Sequence, residues 1–156
     1  MDPARISLRP FKLSDVDDFL KWASDDRVTW NLRWNSITTR EEALDHLEKV
    51  AIPHTWRRSI CLDDRCRVNI KYTLAIEYWG HGIATIAVKM TVSSVFQDLP
   101  YLIRLEALVD VKNKGSQRVV EKVGFIKEGV LRKYAYFKGE FRDLVVYSFL
   151  LSDKIL

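Results

Sequence analysis

The stretch that decides the fold is residues 72–90, which read YTLAIEYWGHGIATIAVKM. Over residues 67–76, apolar and polar residues alternate, which is the period of a strand with one buried face. From Ile83 onward the apolar residues recur at the spacing of an α-helix, and Gly80 and Gly82 lie where the period changes. The sequence therefore predicts a strand, a short glycine loop and a helix.

A loop of this kind is a candidate anion site. The first turn of a helix leaves main-chain N–H groups without acceptors, and their positive dipoles point outward. A phosphate group fits such a position, and glycine lets a ligand approach the backbone closely. A simple connection with no ligand is the alternative, because a lone Gly-x-Gly is a weak signal. There is no third glycine at Thr85 and no following Lys-Ser pair, so neither a dinucleotide fingerprint nor a P-loop is indicated.

Length and composition indicate one globular domain, residues 1–156. Hydrophobic residues make up 47% of the chain and charged residues 29%, which is typical of a protein with a real core. No run approaches the roughly 18 apolar residues of a membrane span. The first residues lack the form of a secretion signal. We therefore expect a cytoplasmic protein, with the nucleus as the alternative, and no membrane partner.

Charge and cysteine content narrow the choice of partners. The net charge of +4 favours an anionic partner, either nucleic acid or a phosphate-rich cofactor. The basic residues are spread along the chain without a run of five or more, so we expect no nucleic-acid partner. Cys61 and Cys66 are too few for a disulfide framework and lack metal-ligand spacing. We expect reduced thiols and no metal site.

The remaining segments predict a mixed α/β protein with a largely antiparallel sheet. The predicted order is β, α, α, β, β, α, β, α, β, β, which contains six strands. A capping box beginning at Thr39 starts the second helix. Asn113 or Ser116 caps the last helix, and Gly124 ends it. The chain then closes with a β-hairpin.

Three stretches carry motifs that occur together in one family. They are residues 6–10, ISLRP, residues 78–85, YWGHGIAT, and residues 113–125, NKGSQRVVEKVGF. In this order they resemble the GNAT superfamily of acyl-CoA N-acyltransferases, and within it the Rim-type branch of ribosomal-protein-alanine acetyltransferase-like enzymes. The second stretch is similar to the YWGKGIAT form of the acetyl-CoA loop. Trp79, Gly82 and Ala84 occupy the defined positions of its Gln/Arg-x-x-Gly-x-Gly/Ala pattern.

The resemblance implies a GNAT-like mixed, mostly antiparallel twisted sheet flanked by helices, with acetyl-CoA as co-substrate. The loop amides would hold the pyrophosphate, and the end of the preceding strand would bind the pantetheine arm like an added strand. Asn113 would contact the same arm, and capping the helix is its alternative role. The implied cofactor-binding residues are Leu74, Ala75, Ile76, Trp79, Gly80, His81, Gly82, Ile83, Ala84, Thr85, Asn113 and Ser116.

The implied reaction is transfer of an acetyl group to a primary amine by direct attack of the neutral amine on the thioester. The acceptor is a protein N-terminus or a small amine, and the chain is a monomer or a homodimer. Ser116, or Tyr134 from the last hairpin, would protonate the departing thiolate, while amide dipoles polarise the carbonyl. Trp30 and Trp34 are either a wall of the acceptor groove or packing over a core edge.

The chain also departs from the family pattern. Relatives carry a glutamate, a common candidate base, where this chain has Asn69, and asparagine cannot take up a proton. Glu106 or a water molecule is then the candidate base. Lys71 replaces a glycine near the expected amine site. Only four residues separate Leu62 from Arg67, where relatives carry another strand, so the sheet is expected to lack one strand. The alternative function is a catalytically impaired member that binds acyl-CoA or a partner protein.

Overall fold

The computed structural model describes residues 2–54, 57–62, 65–69 and 73–156. The chain divides into two units, Met1–Ala87 and Val88–Leu156. Each unit contains one antiparallel sheet together with helices, so the predicted α/β class is confirmed. Among the described residues, no helix is both long and apolar enough to cross a membrane.

The first unit contains a four-stranded antiparallel sheet. Its strands neighbour one another in chain order: β1 (Ile6–Arg9), β2 (Ser59–Leu62), β3 (Arg65–Asn69) and β4 (Thr73–Leu74). The segment over residues 67–76 that reads as one strand contributes to two, β3 and β4, which pair with Val68 opposite Leu74. The alternation hides this reversal because the segment contains neither glycine nor proline. The described residues therefore form seven strands, whereas the sequence predicts six and a sheet that is one strand short.

Cys61 and Cys66 are register partners on β2 and β3. Cys61 is disulfide-bonded, so the prediction of a reduced thiol is wrong at this residue. That prediction used the spacing of cysteines along the chain. Antiparallel pairing instead decides which positions lie opposite each other, and opposite positions are close enough for a disulfide.

Three short helices complete most of the first unit. They are α1 (Val16–Ala23), α2 (Asp26–Thr29) and α3 (Arg40–His46), and a π-helical turn, Leu47–Ala51, follows α3. The buried residues of α1 are Val16, Phe19, Trp22 and Ala23, which lie on one face of the helix and belong to the hydrophobic core. α2 was not predicted, because four residues are too few to establish a helical period.

Thr39 and Glu42 form the predicted capping box at the start of α3. The Thr39 hydroxyl accepts a hydrogen bond from the Glu42 N–H at 3.2 Å. Glu42 Oε2 in turn accepts a hydrogen bond from the Thr39 N–H at 3.4 Å. The box therefore satisfies two N–H groups that have no acceptor within the helix.

The second unit is built on a three-stranded antiparallel sheet with the strand order β5-β7-β6. The strands are β5 (Arg104–Asp110), β6 (Ile126–Phe137) and β7 (Glu140–Leu150), and the helices are α4 (Ile83–Asp98), which begins in the first unit, and α5 (Lys114–Val123). β6 and β7 form the predicted hairpin. One face of β7 packs toward the helices, where the Tyr147 hydroxyl donates a hydrogen bond to Glu121 Oε1 at 2.8 Å.

Arg104 joins the strands of this sheet through carboxylates. Its Nη2 lies 2.7 Å from both Glu106 Oε1 on β5 and Glu128 Oε2 on β6. The Ser148 hydroxyl on β7 donates a further hydrogen bond to Glu128 Oε1 at 2.7 Å. The hydrogen bonds from Arg104, and then the one from Ser148, lower the pKa of Glu128 to about 2.

We expect Thr39→Ala to lower the free energy of unfolding by about 1 kcal/mol, because the substitution removes the N-cap acceptor of α3. Urea denaturation measures the change. Thr38→Ala is the matched control, since the Thr38 side chain forms no hydrogen bond with the described residues. Equal losses in the two variants would contradict a capping role.

We expect acid to remove a contribution of Glu128 to stability. Its folded pKa is lowered, so the contribution is fully present above about pH 4.5 and is lost as the pH falls toward about 2. Arg104→Gln should raise the pKa of Glu128 toward its ordinary value and reduce the slope of stability against pH in this window. NMR titration and unfolding at several pH values measure both. Arg118→Gln, on the exposed side of α5, should change neither.

Candidate cofactor site

The predicted strand, glycine loop and helix are present. β4 is followed by a 3-10 turn, Ile76–Tyr78, and α4 begins at Ile83. Gly80 and Gly82 have φ values of +76° and +78°, in the left-handed region that other residues rarely adopt. Apart from each glycine and its two chain neighbours, no atom of the described residues lies within 4 Å of the position that a Cβ would take at either glycine. The loop is therefore bent by its glycines and open beside them.

Six consecutive main-chain N–H groups, from Gly80 to Thr85, have no hydrogen-bond acceptor in the described part of the chain. The first helical bond runs from the Ile86 N–H to the Gly82 carbonyl at 3.1 Å. A helix start normally leaves four such donors. Here the row begins earlier in the chain, and Gly82 has no side chain that could cap them. The row, with the positive end of the helix dipole, is suited to an extended anion such as a diphosphate.

In the segment before the loop, each main-chain carbonyl from Leu74 to Ile76 accepts a hydrogen bond from within the chain. The Leu74 carbonyl accepts a hydrogen bond from Trp79 Nε1 at 2.8 Å. The Ala75 and Ile76 carbonyls accept hydrogen bonds from the N–H groups of Tyr78 and Trp79, both at 2.9 Å. The N–H groups of Ala75 and Ile76 have no acceptor among the described residues. The N–H groups of Ala75 and Ile76 are therefore the unoccupied donors of this segment, while each of its carbonyls already accepts one hydrogen bond.

The loop is anchored at one end and exposed at the other. Ile83 and Ala84 are buried, with exposed fractions of 3% and 8%. Thr85 is half-buried. Trp79 and His81 are exposed. The first turn of α4 is therefore fixed by packing while the glycine segment faces outward.

Asn113 and Ser116 lie together in the second unit, at the start of α5. Asn113 Oδ1 accepts a hydrogen bond from the Ser116 N–H at 3.0 Å, so Asn113, of the two predicted candidates, is the N-cap. The amide nitrogen of Asn113 has no hydrogen-bond partner within the described residues. Capping uses only the oxygen, and the NH₂ group remains available to a ligand carbonyl.

The turn before α5 is held by hydrogen bonds from Gln117, a residue that was not among the predicted site residues. Gln117 Nε2 donates hydrogen bonds to the carbonyls of Asp110 and Val111, both at 3.0 Å. Gln117 is buried on the same face of α5 as Val120 and Val123. A polar residue within an apolar stripe was the available signal, because a buried amide needs hydrogen-bond partners.

Tyr134 and Glu106 lie on other elements of the second unit, β6 and β5. The Tyr134 side chain is exposed, and its hydroxyl has no hydrogen-bond partner in the described part of the chain. Arg104 donates two hydrogen bonds to Glu106, at 3.1 and 2.7 Å, and both go to Oε1. Oε2 therefore remains without a hydrogen-bond partner among the described residues.

Trp30 and Trp34, the two predicted candidates for an acceptor groove, lie in different environments in the first unit. Trp34 packs beside Phe19, Trp22 and His46, with ring centroids 6.4, 5.9 and 5.2 Å away, so it covers a core edge. Burial, followed by the charge of Arg57, lowers the pKa of His46. Trp30 is 47% exposed.

The remaining sequence predictions concern Asn69, Lys71 and metal binding. Lys71 and the side chain of Asn69 lie outside the described residues. Across residues 2–54, 57–62, 65–69 and 73–156, no group of three or more His, Cys, Asp and Glu side chains is placed to hold a metal ion.

Comparisons with known proteins point to one family. The acetyltransferase (GNAT) domain model matches residues 54–126. The chain is 27% identical over 169 residues to the uncharacterized N-acetyltransferase p20 of Bacillus licheniformis, covering 96% of this chain and 94% of that protein. A GNAT-family acetyltransferase structure from Bacillus anthracis superposes with a TM-score of 0.83 at 22% identity, covering 94% of this chain and 95% of that one. The ribosomal-protein-S5-alanine acetyltransferase of Vibrio fischeri gives 0.74 at 22% identity, covering 95% and 94%.

The matched segment contains the glycine loop, all of α4, β5 and α5, and the turn that carries Asn113. The resemblance predicted from the three sequence motifs is confirmed, and a Rim-type enzyme is among the structural neighbours. Residues 54–126 therefore match a GNAT acetyltransferase domain, and the chain is similar over nearly its whole length to an N-acetyltransferase, a class of enzyme that uses acetyl-CoA as its acetyl donor.

Proposed function

We propose that this chain transfers the acetyl group of acetyl-CoA to a primary amine, either a protein N-terminus or a small amine. The observation that carries the proposal is the row of six N–H groups from Gly80 to Thr85 without acceptors among the described residues. The pyrophosphate of acetyl-CoA supplies the oxygens that such a row needs. The open space beside Gly80 and Gly82 allows the approach.

The proposed cofactor contacts use N–H and NH₂ groups that have no hydrogen-bond acceptor among the described residues. The loop amides hold the pyrophosphate, and the N–H groups of Ala75 and Ile76 bind carbonyls of the pantetheine arm. The carbonyls of this segment each accept one hydrogen bond already, so its N–H groups are the unoccupied partners for an added strand. In the second unit, the Asn113 NH₂ group is the proposed donor to a carbonyl of acetyl-CoA. The proposed cofactor-binding residues are Leu74, Ala75, Ile76, Trp79, Gly80, His81, Gly82, Ile83, Ala84, Thr85, Asn113 and Ser116.

In the proposed reaction the neutral amine attacks the thioester carbonyl, the C–N bond forms and the C–S bond breaks. Glu106 Oε2 takes the proton from the amine, directly or through water. Ser116 or Tyr134 gives a proton to the departing thiolate. Main-chain N–H dipoles polarise the carbonyl as charge develops on its oxygen.

We expect acetyl-CoA to bind the wild-type protein in isothermal titration, and Gly82→Ala to weaken that binding by at least about tenfold. A side chain at φ +78° costs of order 1–3 kcal/mol, so the loop leaves its present conformation. Gly129→Ala is the matched control, because its Cβ also meets no atom within 4 Å and its φ is not in the left-handed region. No heat from the wild-type protein would contradict the proposed cofactor site.

Mass spectrometry of acceptor mixtures incubated with acetyl-CoA tests the transfer itself. The mixtures are peptides with a free N-terminal alanine, the same peptides with a blocked N-terminus and an internal lysine, and polyamines. A mass increase of one acetyl group on the free peptide or on the polyamine identifies the acceptor class. Binding of acetyl-CoA without transfer to any amine would instead support the alternative, a catalytically impaired protein that binds acyl-CoA.

We expect Glu106→Gln to lower kcat by about a hundredfold, the usual size of a general-base contribution. The affinity for acetyl-CoA should not change, because Glu106 acts on the amine. Glu128→Gln is the control, since it removes a carboxylate from the same Arg104 cluster without removing the proposed base. An unchanged rate in Glu106→Gln, or equal losses in both variants, would discard Glu106 as the base.

A further inference from the structure

A buried ion pair lies at the end of β5, next to the turn that carries Asn113. Arg142 Nη1 on β7 lies 2.9 Å from Asp110 Oδ2, and the two side chains are 1% and 6% exposed. Arg142 Nε is 2.7 Å from Glu140 Oε1, and its guanidinium lies 4.8 Å from the ring centroid of Phe137. Buried ion pairs add little net stability compared with apolar residues of the same volume. Stability alone is therefore a weak explanation for this pair.

Asp110 connects the ion pair to the turn. Its Oδ1 accepts a hydrogen bond from the Lys112 N–H at 2.7 Å. Its main-chain carbonyl accepts hydrogen bonds from the Asn113 N–H at 2.9 Å and from Gln117 Nε2 at 3.0 Å. The turn is therefore held from β7 through Arg142 and from α5 through Gln117. Both supports meet at one residue.

We propose that Asp110, Arg142 and Gln117 are positioning residues that fix the turn between β5 and α5 for cofactor binding. They act through Asn113, whose Oδ1 is used by the helix cap and whose NH₂ group is directed by the conformation of the turn. This inference rests on the proposed function, because it takes acetyl-CoA as the ligand of Asn113.

A merely structural role predicts a different result, and the chain offers a control for it. Glu121 lies on α5, away from the turn, and its Oε1 accepts a hydrogen bond from the Tyr147 hydroxyl. Glu121→Ala should lower the melting temperature and leave the affinity for acetyl-CoA unchanged. A positioning residue should change the affinity even in variants whose melting temperature is little affected.

The experiment measures the Kd for acetyl-CoA and the melting temperature of five variants of the full chain. We expect Gln117→Met, Asp110→Asn and Asn113→Ala each to raise the Kd by about fivefold, which corresponds to the loss of one hydrogen bond. Gln117→Met keeps the length and burial of the side chain, so it remains informative if Asp110→Asn folds poorly. The fourth variant combines Gln117→Met with Asn113→Ala, and the fifth is Glu121→Ala.

The double variant decides whether Gln117 acts through Asn113. We expect its Kd to equal that of Asn113→Ala alone, because one contact can be lost only once. Multiplied losses would overturn the inference. A lower melting temperature with an unchanged Kd in Gln117→Met and Asp110→Asn, as in Glu121→Ala, would also overturn it. No binding by the wild-type protein would instead overturn the proposed function, and this inference with it.

Discussion

Main-chain hydrogen bonding between β4 and α4 is the constraint on which the candidate site depends. The chain must pass from a strand to a helix within a few residues, and two glycines with positive φ make the bend. The bend leaves the N–H groups from Gly80 to Thr85 without acceptors among the described residues. Such donors are costly to leave unpaired away from water, so the loop is best satisfied by an anion or by solvent. The similarity to GNAT acetyltransferases is the reason for proposing acetyl-CoA as the molecule that supplies the anion.

The segment before the loop, residues 74–76, also has a defined hydrogen-bonding pattern. The Trp79 indole and two turn N–H groups occupy the carbonyls of Leu74, Ala75 and Ile76. The N–H groups of Ala75 and Ile76 have no acceptor among the described residues and can donate to a ligand arm beside this segment. The exposed tryptophan of the family loop thus has an intramolecular role, since its N–H closes the bend on the strand that precedes it. The sequence pattern alone places Trp79 in the loop without indicating this bond.

In the second unit, buried polar groups link the strands to α5. Asp110, Arg142 and Gln117 are almost fully buried, and each has partners that link β5, β7 and α5. Charged groups are costly to bury, and their pairing fixes one arrangement of the elements that carry them. The Asn113 N–H donates a hydrogen bond to the Asp110 carbonyl at 2.9 Å, so the turn that carries the cap is connected to this arrangement.

The sequence by itself determined the glycine loop, the start of α4, the capping box of α3 and the final hairpin. These features are local, because a period, a cap or a turn is specified by residues within a few positions of one another. Only the tertiary structure decided that residues 67–76 contribute to two paired strands and that Cys61 is disulfide-bonded. It also decided that Arg142 pairs with Asp110, 32 positions earlier in the chain. The Asp110–Arg142 pair depends on distant residues that meet only after folding. The pairing of β3 with β4 and the disulfide of Cys61 depend on where the chain reverses, and alternation or spacing along the chain carries no information about that.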